Sequence, residues 1–205
     1  PDGKLDILES LTSLLNNSLL RQEETADGEP RFGMLETIRA YALERLSAAG
    51  EIETLRRGHA RYYGDMIIND IGFFGLYTEN ALDWLHWIER EHDNIRATLT
   101  WNLATPEGVE RDAQMVNILF WFWYRRGYAI ELSMWTDRLL ADPSLQAPSP
   151  ARVMVMFASG SSAMWRGEQD TALAKVKESL AIVQMVENKE FLGFMLLGVA
   201  VVLIN

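Results

Sequence analysis

Two stretches forty residues apart are punctuated in the same way, and that echo constrains the fold more than any single motif. Tyr124-Arg-Arg-Gly127 is followed by an amphipathic run to Leu139-Leu140-Ala141, and Trp165-Arg-Gly167 by a like run to Ser179-Leu180-Ala181. Helix, glycine and helix repeating at a fixed period indicate a solenoid, whose units bury their apolar faces only against neighbours. The second copy fits the tetratricopeptide pattern best, with Gly160, Gly167, Ala172 and Leu180 at its small and apolar positions. Gly198 lies 38 residues after Gly160, which starts a further repeat near residue 191. The spacing exceeds the tetratricopeptide ideal of about 34, so the expectation is a tetratricopeptide-like α-solenoid. Pro148 to Pro150 marks an inter-repeat loop.

The first fifty residues read differently. Leu8, Leu11, Leu14, Leu15, Leu19 and Leu20 recur at helical spacing, which predicts a helix over 5–18. Ser18 to Glu23 and Pro30 to Met34 read as short strands around a polar, glycine-containing turn. A second helix follows, with Leu35, Ile38, Ala42 and Leu46 on one face and Ala48-Ala49-Gly50 at its end. Helix, two-stranded wing and helix make the back half of a winged-helix domain. From residue 51 no strand pattern survives. Glu51 to Asn69 reads as one helix, Gly72 to Tyr77 as a connection, and Glu79 to Leu103 as a helix broken near His92-Asp93, with Asp93 as the cap. The expected fold is therefore mainly α: a partial winged helix with a two-stranded hairpin, then the α-solenoid. Its parts are 1–50, the C-terminal part of a winged-helix domain; 51–110, a helical linker and first helical pairs; and 111–205, the repeats. Both ends read as cuts within a longer protein.

Composition narrows the chemistry. Seven Trp, six Tyr and eight Phe in 205 residues supply a sizeable core and exclude disorder. The absence of Cys excludes disulfides, thiolate catalysis and Cys-ligated zinc, and fits a reducing compartment, so a cytoplasmic location is expected. Phe191 to Ile204 is apolar but shorter than the roughly 18 residues a bilayer requires, so no membrane association is expected. Twenty-nine acids against nineteen bases, a net charge of −10, disfavour nonspecific wrapping of a phosphate backbone.

No phosphate-binding Gly-x-x-x-x-Gly-Lys-Ser/Thr loop, Gly-x-Ser-x-Gly elbow or His-Glu-x-x-His helix occurs, and no enzyme activity is expected. Glu89 and His92 share a helical face as some di-iron ligands do, but a full site needs two such pairs. Glu91 and His92 read instead as caps or bridges between helices. His86 falls on another face, and His59 sits on an apolar stripe. Arg56, Arg57 and Arg61 cluster on one helix and Arg125-Arg126 on another. A wing with Glu23, Glu24, Asp27 and Glu29 against Arg21 and Arg31 repels phosphates, so DNA binding by this segment is not expected. Trp84, Trp87, Trp101, Trp121, Trp123 and Trp135 with Phe120 and Phe122 offer the lining of a ligand groove, but aromatics at helical spacing belong more often to the core. Phe120-Trp-Phe-Trp-Tyr124 surrounds its helix, however, so some of these rings face a partner or groove. The expected contacts are Trp123, Tyr124, Arg125, Trp165 and Arg166, since aromatic and Arg side chains anchor recognition surfaces.

Three segments carry a family resemblance. Arg31-Phe-Gly-Met-Leu-Glu-Thr-Ile-Arg-Ala-Tyr-Ala-Leu-Glu-Arg-Leu46 closely resembles a segment of STAND-type signalling ATPases of the LuxR/AfsR/MalT-like regulators. Leu11 to Leu20 is similar to their "LVDKSL" helix end, and Glu91-His-Asp-Asn-Ile-Arg-Ala97 to their "EHDNLRAAL" run. The resemblance implies an ATPase module upstream that holds ATP or ADP, then a winged helix, then a helical-repeat sensor. It implies no cofactor in this segment, and as partners a protein or small-molecule inducer on the repeats and the protein's own ATPase module. Related NB-ARC proteins open the second winged-domain helix with Met-His-Asp, whose His contacts ADP; Met34-Leu35-Glu36 stands there instead. The expected function is a non-catalytic sensor segment in transcriptional control, with a DNA-binding winged-helix regulator module as the alternative.

Overall fold

A computed structural model of the chain describes residues 6–24, 30–105 and 108–186. It is mainly helical, with one two-stranded hairpin, and divides into two compact units, Pro1–Leu55 and Arg56–Asn205. The repeat expected from residue 191, the apolar run 191–204 and the tip of the wing lie outside the described residues.

In the first unit, helix α1 (Ile7–Asn16) begins where Asp6 accepts hydrogen bonds from the backbone N–H groups of Leu8 and Glu9, at 3.0 and 3.2 Å. Two otherwise orphan donors of the first turn are thereby satisfied. Strands β1 (Arg21–Glu24) and β2 (Pro30–Gly33) pair antiparallel, with Arg21 opposite Gly33 and Glu23 opposite Arg31. Helix α2 (Glu36–Ala48) follows, and Gly50 closes it at φ +72°, a left-handed conformation that costs glycine little. No residue of α1 or α2 is buried: Ile7, Leu8 and Tyr41 are exposed, while Leu14, Leu15, Ile38 and Leu46 are half-buried.

The second unit starts in helix α3 (Ile52–Asp65). The single helix read over 51–69 ends early, because residues Met66–Ile71 widen into a π-helical turn that buries Ile67 and Ile71. A 3₁₀ turn, Gly75–Tyr77, leads to α4 (Ala81–Arg90) and α5 (His92–Asn102). The break falls at Glu91, and Asp93 is not the cap; it lies in the first turn of α5 and pairs with Arg96 at 2.9 Å. Helices α6 (Gly108–Arg126), α7 (Ala129–Ala141), α8 (Pro150–Trp165) and α9 (Gln169–Val186) then stack in order, with α8 also against α6.

The echo in sequence is an echo in backbone geometry. Gly127 and Gly167 take φ of +73° and +79° at the ends of α6 and α8. In each case the next residue reaches back five positions, Tyr128 N–H to the Trp123 carbonyl at 2.8 Å and Glu168 N–H to the Ala163 carbonyl at 2.9 Å. This left-handed cap satisfies late helical carbonyls and turns the chain into the antiparallel partner helix. The core runs continuously from Ile67, Leu85, Ile95 and Leu99 through Leu119 and Phe122 to Leu132 and Val155. Residues 56–105 therefore share one core with the repeat helices.

Small residues fix the α8–α9 distance. A Cβ on Gly160 would stand 3.0 Å from Val176 Cγ2, 3.2 Å from Lys175 Cβ and 3.3 Å from the Ala172 carbonyl. Gly160→Val therefore forces the helices apart, and a loss of about 2–3 kcal/mol is expected in chemical unfolding. An unchanged midpoint would show that α9 is free to shift.

Candidate functional site

The winged unit presents charge in an arrangement that residue counting hides. Side chains alternate along a strand, so Arg21 and Glu23 share one face of β1, and the register places Arg31 and Gly33 on that same face. One face of the hairpin thus carries two arginines and one glutamate. The opposite face carries Gln22, Glu24, Pro30 and the exposed Phe32. On α2, Arg39 pairs with Glu36 at 3.2 Å on the exposed surface.

In the helical unit the five expected recognition residues separate. Trp123 is 1% exposed, within the core, so its position as a surface anchor is corrected: α6 turns by about 100° per residue and aims Phe122 and Trp123 inward. Tyr124, one residue on, is 47% exposed and packs 4.6 Å from the half-buried Trp165 of α8. Trp121, three residues before Tyr124, meets it at 5.1 Å and Tyr77 at 5.4 Å. Tyr77, Trp121, Tyr124 and Trp165 therefore form a continuous aromatic strip across the 3₁₀ turn, α6 and α8. Burial pushes the Tyr77 phenol up to about 12, against the opposing charge of Arg125.

Arg125 is exposed beside this strip and makes no salt bridge among the described residues. Arg166 is committed to structure. Its Nε and Nη2 grip Glu168 at 2.8 and 2.9 Å, and Nη1 donates to Ser162 Oγ, whose hydroxyl donates to the Ala129 carbonyl at 2.7 Å. Tyr77 and Trp121 were absent from the five residues. Trp121 had a signal in the aromatic run, whereas Tyr77 joins the strip through packing of a distant turn that no periodicity encodes.

Glu89 and His92 do not converge. Glu89 accepts from Arg126 Nε and from the Tyr128 hydroxyl, each at 2.9 Å. His92 Nε2 lies 3.1 Å from Glu131 Oε1, although its N–H is not aimed along that line. Glu131 also takes a two-point contact from Arg96, at 2.9 and 2.7 Å, and accepts from Trp135 Nε1. Burial alone would raise the Glu131 carboxyl; the hydrogen bonds from Arg96 and the contact with His92 outweigh it and hold the acid well below its ordinary range. This network ties α5 to α7. His59 Nε2 lies 3.2 Å from Asn94 Oδ1, and Asn94 and Tyr63 both donate to Glu91. Among the described residues no three His, Asp or Glu side chains cluster as a metal site, and no helix is long and apolar enough to cross a membrane.

Residues 2–47 match the model of a winged helix-turn-helix domain. Proteins named as candidate HTH-type transcriptional regulators, one from Mycobacterium bovis and two from strains of Mycobacterium tuberculosis, are each 30% identical to this chain over 139 residues. The matched region is 66% of this chain and 15% of each relative, so the chain corresponds to a small part of their length. No solved structure matches it. These likenesses support a transcriptional regulator with a winged helix-turn-helix domain. They also point to DNA contact and overturn the expectation that this segment stays off DNA. That expectation summed the charges of the wing. Net charge governs nonspecific attachment, whereas a specific contact depends on where a few cationic groups stand.

Proposed function

We propose that the chain is part of a transcriptional regulator in which the winged unit contacts duplex DNA and the helical unit carries the regulatory surface. The observation that supports it most is the helix–hairpin–helix order of Ile7–Ala48, which coincides with the winged helix-turn-helix match. Within the wing, Arg21 and Arg31 share one face with Glu23, and these two arginines are the cations the wing offers to a phosphate backbone. Residues 1–55 hold eleven acids and five bases, so loose attachment to arbitrary DNA is weak and the contact relies on few cations.

The finer reading is a non-catalytic segment of a STAND-type regulator, whose nucleotide is held by another module. The resemblance in residues 31–46 and 91–97 and the absence of a phosphate-loop pattern support it. The aromatic strip with Arg125 supports partner or inducer recognition by the helices.

Fluorescence anisotropy on duplexes selected from a randomised pool tests the DNA contact. With two phosphate contacts, log K is expected to fall with log[salt] at a slope of about −2, and Arg21→Ala to make that slope shallower by about 1. Failure of any duplex to be enriched, or a slope indifferent to both Arg21→Ala and Arg31→Ala, sinks the reading.

A further inference from the structure

Helix α3 places Arg57 and Arg61 four residues apart, on one face, along a cleft of about 520 Å³. The other wall comes from Trp101 and Asn102 at the end of α5 and from Gly108 and Arg111 at the start of α6. The volume lies within the range of small-molecule sites, about 300–1,000 Å³.

The charges of this cleft are unbalanced. Arg111 passes close over Gly64, where a Cβ would come within 2.6 Å of its Nε, so glycine is needed for the guanidinium to take this place. There it donates to Asp65 Oδ1 at 2.6 Å and to the Arg61 carbonyl at 3.3 Å. Arg61 reaches the same carboxylate at 3.5 Å. The Arg111 hydrogen bond holds the Asp65 carboxyl below its ordinary range, so the pair stays charged. Two guanidiniums thus share one carboxylate. The exposed Arg57 makes no salt bridge among the described residues, and none of the described residues lining the cleft is an acid. In a chain of net charge −10 this is a local excess of positive charge. The N-terminal end of the 19-residue α6 at Gly108 brings partial positive charge, and the C-terminal end of α5 at Trp101 and Asn102 brings partial negative charge, so the excess rests on the three arginines. Beside the cationic groups, the half-buried Trp101 offers a flat apolar face.

We propose that this cleft binds a small phosphate-bearing molecule with a flat ring, the phosphate held by Arg57, Arg61 and Arg111 and the ring against Trp101. Guanidiniums match phosphate oxygens through paired N–H donors, and a ring lying on an indole adds contact area that inorganic phosphate lacks. The site deepens the regulatory reading of the helical unit and rests on it; the wing–DNA contact is independent of it.

Phenyl phosphate serves as the probe, in calorimetry and thermal unfolding of the whole chain at constant ionic strength, with inorganic phosphate and chloride alongside. Phenyl phosphate is expected to raise the unfolding temperature saturably and to bind more tightly than inorganic phosphate, and chloride to do nothing. Arg57→Gln with Arg61→Gln, both at exposed positions, is expected to weaken binding tenfold or more while leaving the circular dichroism unchanged. Trp101→Leu removes the advantage over inorganic phosphate. No saturable binding, binding indifferent to the double replacement, or equal affinity for the two phosphates overturns the proposal. Because duplex binding is scored separately through Arg21 and Arg31, loss of one result leaves the other readable.

Discussion

Trp123→Ala is expected to cost about 3–5 kcal/mol and to lower the unfolding temperature by about 10 °C, the largest effect of any single truncation considered. Trp123 is 1% exposed and belongs to the core that α6 shares with its neighbours. Removing the indole leaves a cavity that the stacked helices can close only by losing their own contacts. Its Nε1–H has no hydrogen-bond partner among the described residues, so Trp123→Phe, which removes that donor and keeps a ring, is expected to cost much less. Tyr124→Ala, at the half-exposed position next door, is expected to stay within about 1 kcal/mol. Urea unfolding of the three variants separates these outcomes. Near-wild-type stability of Trp123→Ala would remove the indole from the core. The same contrast decides how partner recognition is examined: loss of binding in Trp123→Ala reports unfolding, whereas loss in Tyr124→Ala reports the strip.

The second large effect is with pH. Asp112 of α6 is fully buried, accepts from Asn102 Nδ2 at 2.8 Å, and leaves Oδ2 without a partner. Burial pushes its carboxyl up to about 8, and neither the Asn102 hydrogen bond nor the adjacent Arg111 charge brings it down. The folded state therefore holds a proton that the unfolded chain releases near pH 4. The sign follows: stability from this group is complete below pH 4 and is lost as pH rises toward 8, by up to about 1.4 kcal/mol per unit. Thermal unfolding is expected to weaken from pH 6 to pH 8 by about 2 kcal/mol beyond the change in Asp112→Asn, which keeps the acceptor for Asn102 and does not titrate. Parallel pH profiles for the two proteins would place Asp112 outside the buried core.

Local elements were legible because their signals are local. The leucine spacing of α1, the hairpin strands and the glycines closing α2, α6 and α8 each rest on a few neighbouring residues. Gly127 and Gly167 carried the solenoid, since the backbone conformation they adopt is one most other residues resist. Where expectation and structure part, the deciding contact is distant in sequence. The helix from residue 51 widens at Met66 where it packs on α6, and Asp93 pairs with Arg96 while Glu91 takes the break.

The candidate sites divide the same way. Sequence alone established a helical chain with a wing, the matching turns at Gly127 and Gly167, and the aromatic run 120–124, because helical period and backbone freedom belong to single residues and their near neighbours. Tertiary structure alone decided that Trp123 is inside and Tyr124 outside, that Tyr77 joins Trp121, and that Arg57, Arg61 and Arg111 line one cleft. Register likewise decided that Arg21 and Arg31 share a face of an acidic wing. A side chain's type is written in the sequence, but its exposure and its electrostatic surroundings are properties of the elements folded around it.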